Sequence, residues 1–249
     1  MGTWGSSRRW WAVFVVLAAL LGAGTGAEAR PPRATIDFPD TDALLGSCVQ
    51  LVPHTIALTD ATVQLDLRVV LDGVTRAQGA AAVVGMRRAY ARLGIAVAAT
   101  YDPVRFTGRD ANGLLAQAKQ EYGGRRPAGV DVVYVLTDKD VVTSSVTGGQ
   151  LAGLADCIGG IRYPTRAFAV GELGAVSAAG VADGTAKTMA HEVGHLLGAH
   201  HHHTSPEGVL DGDLAAPLSL MGPAIDLIAL RFSTVEALMV RGHAQRYAR

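Results

Sequence analysis

Cysteine is almost missing from this sequence: two residues in 249, so at most one disulfide can brace the fold. Charge of one sign is missing as well. Lys and Arg number 22, Asp and Glu number 22, and the formal charge is zero. A nucleic-acid binder carries a basic stripe, so no nucleic-acid partner is expected. Past residue 29 no apolar run approaches the ~20 residues that a membrane-spanning helix needs. The mature chain is therefore expected to have no membrane span. Internal repeats and low-complexity tails are also lacking. What is present is 49% hydrophobic residues, enough for a substantial core, and 30 glycines, which point to many turns.

The N-terminus accounts for part of that hydrophobicity. Arg8 and Arg9 precede the apolar run "WWAVFVVLAALLGAG", and "AEA" at 27–29 has the small-x-small pattern of a cleavage site. Residues 1–29 are therefore predicted to be a secretory signal peptide, and the mature protein to be secreted or otherwise extracytoplasmic. A membrane anchor is the alternative, against which the short run argues. In an oxidising compartment Cys48 and Cys157 form a candidate disulfide. The other reading of Cys48 is as a cap on a metal site. Residues 30–58 open with the Pro-rich "RPPRATIDFPDTD" and form an extended lead-in.

From residue 59 the pattern becomes regular. "ATVQLDLRVVLDG" alternates apolar and polar residues and predicts a strand half buried on one face. Val83, Met86, Tyr90 and Leu93 recur at helical spacing and predict a helix ending near Gly94. "IAVAATY" reads as a second strand. "DANGLLAQAKQEYGG" reads as a helix from Asp110 to Gly123. "GVDVVYVLTD" is nearly all apolar and predicts a central strand covered on both faces. Strand, helix, strand, helix, strand implies a parallel α/β layer. Residues 139–184 are loop-rich, with "RAFAVGE" (166–172) the one convincing strand. A helix opened by Asp183 or Thr185 then runs to Gly198. A last helix has Ser233 and Glu236 in capping-box register, with Val235, Leu238 and Met239 as its apolar face.

Six of the eight histidines fall in "HEVGHLLGAHHHHT", 191–204. His191 and His195, four apart on a helix, project from one face and suit two ligands on one Zn²⁺. Glu192 is placed to act as general base toward a metal-bound water. Gly198 and His201 extend the pattern to HExxHxxGxxH. The helix must stop and the chain must swing back, and Gly takes the positive φ that this needs. Requiring a Gly and a His at set positions cuts chance matches roughly 250-fold. Spacing selects His201 as the third ligand, and three protein ligands with one open position describe a catalytic zinc site. His200, His202 and His203 are read as solvent-facing or supporting residues, and His54 and His243 as structural.

The extended motif, followed by Met221 in "SLMGP", resembles the metzincin zinc endopeptidases. "DVVYVLTDKD", "GLADCIGGI" and "SLMGP" occur in the order and approximate spacing of the reprolysin (adamalysin-like) branch. His202 departs from that branch, which places Asp after the third His. Ser219 stands where a Cys is common there. The resemblance covers about Val130 to Pro223. It implies that residues 59–249 form the catalytic domain; from the sequence itself, no long pro-domain is expected ahead of it. It implies a zincin-like fold: a twisted, mostly parallel sheet with an antiparallel edge strand, an active-site helix and a small C-terminal helical subdomain. Met221 would floor the histidine site without binding metal, and Gly198 would shape the turn. The implied activity is zinc-dependent endopeptidase action, with one catalytic Zn²⁺, on a protein or peptide bound extended along an edge strand. "RAFAVGE" is the candidate for that strand. Other readings are a zinc hydrolase of cell-wall peptide amides and a non-catalytic, secreted zinc-binding protein.

Overall fold

The computed structural model describes residues 61–142, 152–174, 183–201, 219–221 and 231–248, and the backbone of 35–36 and 54–55. All lie within the compact unit Arg33–Arg249. The predicted signal peptide, Cys48, His202 and His203 fall outside the described residues.

Two short strands, β1 (Thr35–Ile36) and β2 (His54–Thr55), pair antiparallel. The main sheet has β3 (Val63–Asp72), β4 (Ile95–Val104), β5 (Val132–Thr137), β6 (Gly153–Ala155) and β7 (Phe168–Glu172). Its order is β4-β3-β5-β7-β6, parallel throughout except for β6, which runs antiparallel to β7 at the edge. Helix α1 (Arg76–Ala91) crosses from β3 to β4, and α2 (Ala111–Glu121) crosses back to β5 on the opposite face. Both starts are chemically defined. Thr75 and Gln78 form a capping box on α1, and Asp110 accepts from Gly113 N at 2.9 Å on α2.

One core lies between the sheet and α1, α3 (Gly184–Leu196) and α4 (Thr234–Tyr247). The smaller core lies under α2. β5 alternates between them, with Val132, Tyr134 and Leu136 on the α3 side and Val133 and Val135 on the α2 side. That is the predicted central strand, buried at every position. β3 differs from expectation: it alternates only over its first half and is then buried on both faces, because it lies inside the sheet between β4 and β5. α1 and α3 pack in direct contact, since a Cβ on Gly85 would fall 2.4 Å from Ala186 Cβ. Tyr90 Oη also donates across to Ala190 O at 2.9 Å.

Two expectations need correction. "RAFAVGE" is not the edge strand. It forms β7, hydrogen-bonded on one side to β5 and on the other to β6, and the edge is Gly153–Ala155. α4 keeps its capping box, with Ser233 N donating to Glu236 Oε2 at 2.7 Å. Its buried side, however, is Glu236, Met239, Val240, Gly242, His243 and Ala244, while Leu238 is exposed. Met239 is buried as expected, but much of that side is filled by small and polar side chains, so a hydrophobe count misplaces the centre of the face.

Candidate active site

The buried helix α3 carries His191, Glu192 and His195 within one turn. Its N-cap Asp183 sits at φ +64° without a side-chain capping bond, so Lys187 N, donating to Asp183 O at 3.0 Å, starts the helical ladder. The C-terminus closes as a Schellman motif. Gly198 N donates to His195 O at 2.8 Å, and Ala199 N donates to Gly194 O at 3.0 Å. Gly198 is the left-handed residue of that motif, at φ +92°. Its missing side chain also makes room for His243, whose ring atoms would lie 2.7 Å from a Cβ placed there. The chain reverses at this point and returns His201 to the helix face.

The three imidazoles converge. Nε2 of His191 lies 2.9 Å from Nε2 of His201 and 3.0 Å from Nε2 of His195, and His195 and His201 are 3.0 Å apart. Their second nitrogens explain the orientation. His191 Nδ1 is 2.7 Å from Leu220 O, and His195 Nδ1 is 2.8 Å from Ala199 O. A carbonyl can only accept, so each Nδ1 carries the proton and each Nε2 turns a lone pair inward. Lone pairs about 3 Å apart repel unless a cation stands between them. Three nitrogens held tetrahedrally at about 2.0 Å from one zinc ion lie about 3.3 Å apart, within a few tenths of the observed triangle. The residues fit one zinc ion, and among the described residues these three form the group of metal-ligating side chains. His200 is buried but lies outside this triangle, so the solvent-facing reading does not hold for it.

The floor of the site comes from the C-terminal segment. Met221 is fully buried, with Sδ 2.9 Å from where a Gly194 Cβ would stand. Ser219 Oγ donates to Glu236 Oε1 at 2.7 Å and accepts from Met221 N at 3.0 Å. Leu220 N donates to Arg231 O at 2.8 Å. The Met turn that offers Leu220 O to His191 is thus anchored to the start of α4. The Ser233–Glu236 capping box was legible in sequence, but its tie to Ser219 was not. Behind the turn, burial lowers the pKa of His243 to about 4, so its ring is neutral near pH 7.

Glu192 is buried against the edge of the sheet. A Cβ on Gly153 would stand 2.8 Å from both Cγ and Oε1 of Glu192, and 2.9 Å from Cγ2 of Thr188. Gly153 pairs directly with Gly171 of β7. The edge strand therefore runs beside the Glu192 carboxylate, which three residues without a periodic pattern could not announce in sequence. Cys157 is buried just beyond β6. Its proposed partner Cys48 lies outside the described residues.

Residues 91–202 match the family profile described as metallo-peptidase family M12B, reprolysin-like. That segment runs from the end of α1 through the third histidine. No curated protein matches the chain in sequence. An archaemetzincin from Methanopyrus kandleri shares the fold, with 14% identity, a TM-score of 0.51, and coverage of 76% of this chain and 99% of that one. A second archaemetzincin, from Archaeoglobus fulgidus and complexed with malonate, is 15% identical with a TM-score of 0.45, covering 70% and 98% of the two chains. Over residues 91–202 the chain is thus similar to reprolysin-like metallopeptidases, its fold is that of an archaemetzincin, and its three-histidine donor set suits a single zinc ion.

Proposed function

We propose that the protein is a secreted zinc-dependent endopeptidase in which Glu192 is the general base. The observation that carries this reading is the pairing of a three-nitrogen donor triangle with a buried carboxylate on the same helix turn. His191, His195 and His201 would hold the zinc ion. When bound, the ion supplies Lewis-acid polarisation of a carbonyl and lowers the pKa of a coordinated water.

The other roles belong to the chain itself. Leu220 O and Ala199 O hold the rings of His191 and His195 in the tautomer that directs Nε2 inward. The Glu192 carboxylate takes a proton from the attacking water and passes it to the departing amine. An extended peptide adds to the outer edge of β6, which brings its backbone past Glu192. Secretion rests on the N-terminal basic, apolar and small-residue pattern over 1–29. No helix among the described residues is long and apolar enough to cross a membrane.

The test is digestion of a denatured-protein library, with and without chelator, with cleavage sites read by mass spectrometry. Cleavage that the chelator abolishes is expected. Glu192→Ala should keep its zinc and lose about 10²–10⁴-fold in rate, the range of a positioned general base. Undiminished cleavage by that variant at unchanged metal content would refute the mechanism. His201→Ala should lose zinc while His203→Ala keeps it.

A further inference from the structure

Tyr134 is the largest polar side chain on the α3 side of the central strand, and it is fully buried. Among the described residues its hydroxyl has no hydrogen-bond partner. A buried, unmet hydroxyl costs about 1–3 kcal/mol, so a core strand has no reason to keep one. Phenylalanine would fill the same volume without that cost.

Its surroundings show where the hydroxyl points. A Cβ on Gly171 would stand 1.9 Å from Tyr134 Oη and 3.1 Å from Thr188 Cγ2. A Cβ on Gly153 would stand 2.8 Å from Glu192 Oε1 and 2.9 Å from the same Thr188 methyl. Gly171 and Gly153 are direct cross-strand partners. Side-chain positions in such a pair are about 5 Å apart on one face of the sheet. The phenol head therefore lies over one glycine and the carboxylate over its partner, with Thr188 touching both positions. The two glycines strip a patch of sheet bare, and both polar heads enter it beside the Thr188 methyl. Burial, and after it the Glu192 charge, push the Tyr134 phenol well above its ordinary range, so the hydroxyl keeps its proton and remains a donor.

We infer that Tyr134 is a positioning residue for Glu192, its hydroxyl donating to the carboxylate through one water in the Gly153–Gly171 patch. The inference rests on the reading of Glu192 as general base. A carboxylate with one oxygen held by a donor keeps fewer rotamers, and the oxygen facing the reacting water is then fixed. Gly171 follows as a requirement, because any side chain there would displace the phenol.

The experiment compares the full chain with Tyr134→Phe, Glu192→Ala and the double variant. Tyr134→Phe should lower kcat about ten- to thirtyfold, the loss expected for one hydrogen bond to a charged group, with KM and zinc content unchanged. Unfolding constants of the zinc-loaded proteins should show a coupling of about tenfold between the two sites. A kcat equal to that of the parent overturns the inference, and so does a coupling of one. The coupling needs no catalysis. If the parent cleaves no peptide, the endopeptidase reading fails while the Tyr134–Glu192 link is still decided. A merely structural phenol would give the opposite stability sign, with Tyr134→Phe more stable than the parent because an unmet hydroxyl has been removed.

Discussion

Gly198→Ala should damage the metal site through a collision rather than through any lost contact. Gly198 sits at φ +92°, where an L side chain costs about 1–2 kcal/mol. The new Cβ would also stand 2.7 Å from Cε1 and Nδ1 of His243 and 3.1 Å from its Cγ. His243 is fully buried, so its ring cannot give way without moving α4, and overpacking of this kind costs about 1–3 kcal/mol. Even the lower sum, about 2 kcal/mol, lowers the thermal midpoint by roughly 4–8 °C for a chain of this size. The turn also places Ala199 O against His195 Nδ1 and returns His201 to the triangle. Loss of such an outer partner typically weakens metal binding about 10–100-fold.

Thermal unfolding and zinc competition against a chromophoric chelator read the two effects separately. The decisive control is the same substitution made in a His243→Ala background. There the collision vanishes and only the backbone penalty remains, so Gly198→Ala should cost about 1–2 kcal/mol. Strict additivity of the two substitutions, or parental zinc affinity in Gly198→Ala, would refute the reasoning.

Glu236→Ala removes the acceptor of the Ser219 hydroxyl and half of the α4 capping box in one step. A loss of about 1–3 kcal/mol is expected in chemical denaturation, together with weaker zinc binding because the Met turn loosens; a Gln at 236 should recover most of both. Equal zinc affinity across the three proteins would show that the turn holds His191 without α4. His243 gives a pH dependence of defined sign. Its folded pKa of about 4 lies below the ordinary 6.5, so the unfolded chain binds the extra proton and stability falls as pH drops from about 6.5 toward 4. The full difference is on the order of 3 kcal/mol, and it is complete below the lower value. Denaturation midpoints of the parent and His243→Phe should diverge at pH 5 relative to pH 7.5, and parallel behaviour would refute the assignment.

What could be read in sequence was what the chain builds locally. His191, Glu192 and His195 need one helix turn, and His201 needs one Schellman cap, so fixed spacing encodes the whole donor triangle. The order of β3, α1, β4, α2 and β5 was legible for the same reason, because each element carries its own period and its own stop. The edge strand was not, since Gly153–Ala155 is too short to alternate, and its strand character comes from pairing with β7. β7 looked like an edge because its neighbour on that side was invisible. The centre of the buried face of α4 was misplaced because Glu236 and His243 are buried for their partners and their fit, which hydrophobicity does not record.

Tyr134 shows the limit most sharply. In sequence it is one apolar-compatible letter in "VVYVLT", and a core reading is correct for its ring. Its hydroxyl acquires meaning only from two glycines on other strands, and each of those looks like an ordinary loop or strand glycine. Gly171 and Gly153 lie opposite each other by register, and Thr188 and Glu192 lie over them by helix packing. The chemistry of the motif is therefore local while the precision of its base is not. The histidines could bring a metal to any helix of this kind. Holding one oxygen of Glu192 at a fixed place requires a bare patch on the neighbouring strands, and that patch is made from residues with no side chain to recognise. Substitution at Gly171 should accordingly impair catalysis in a protein whose zinc binding is intact.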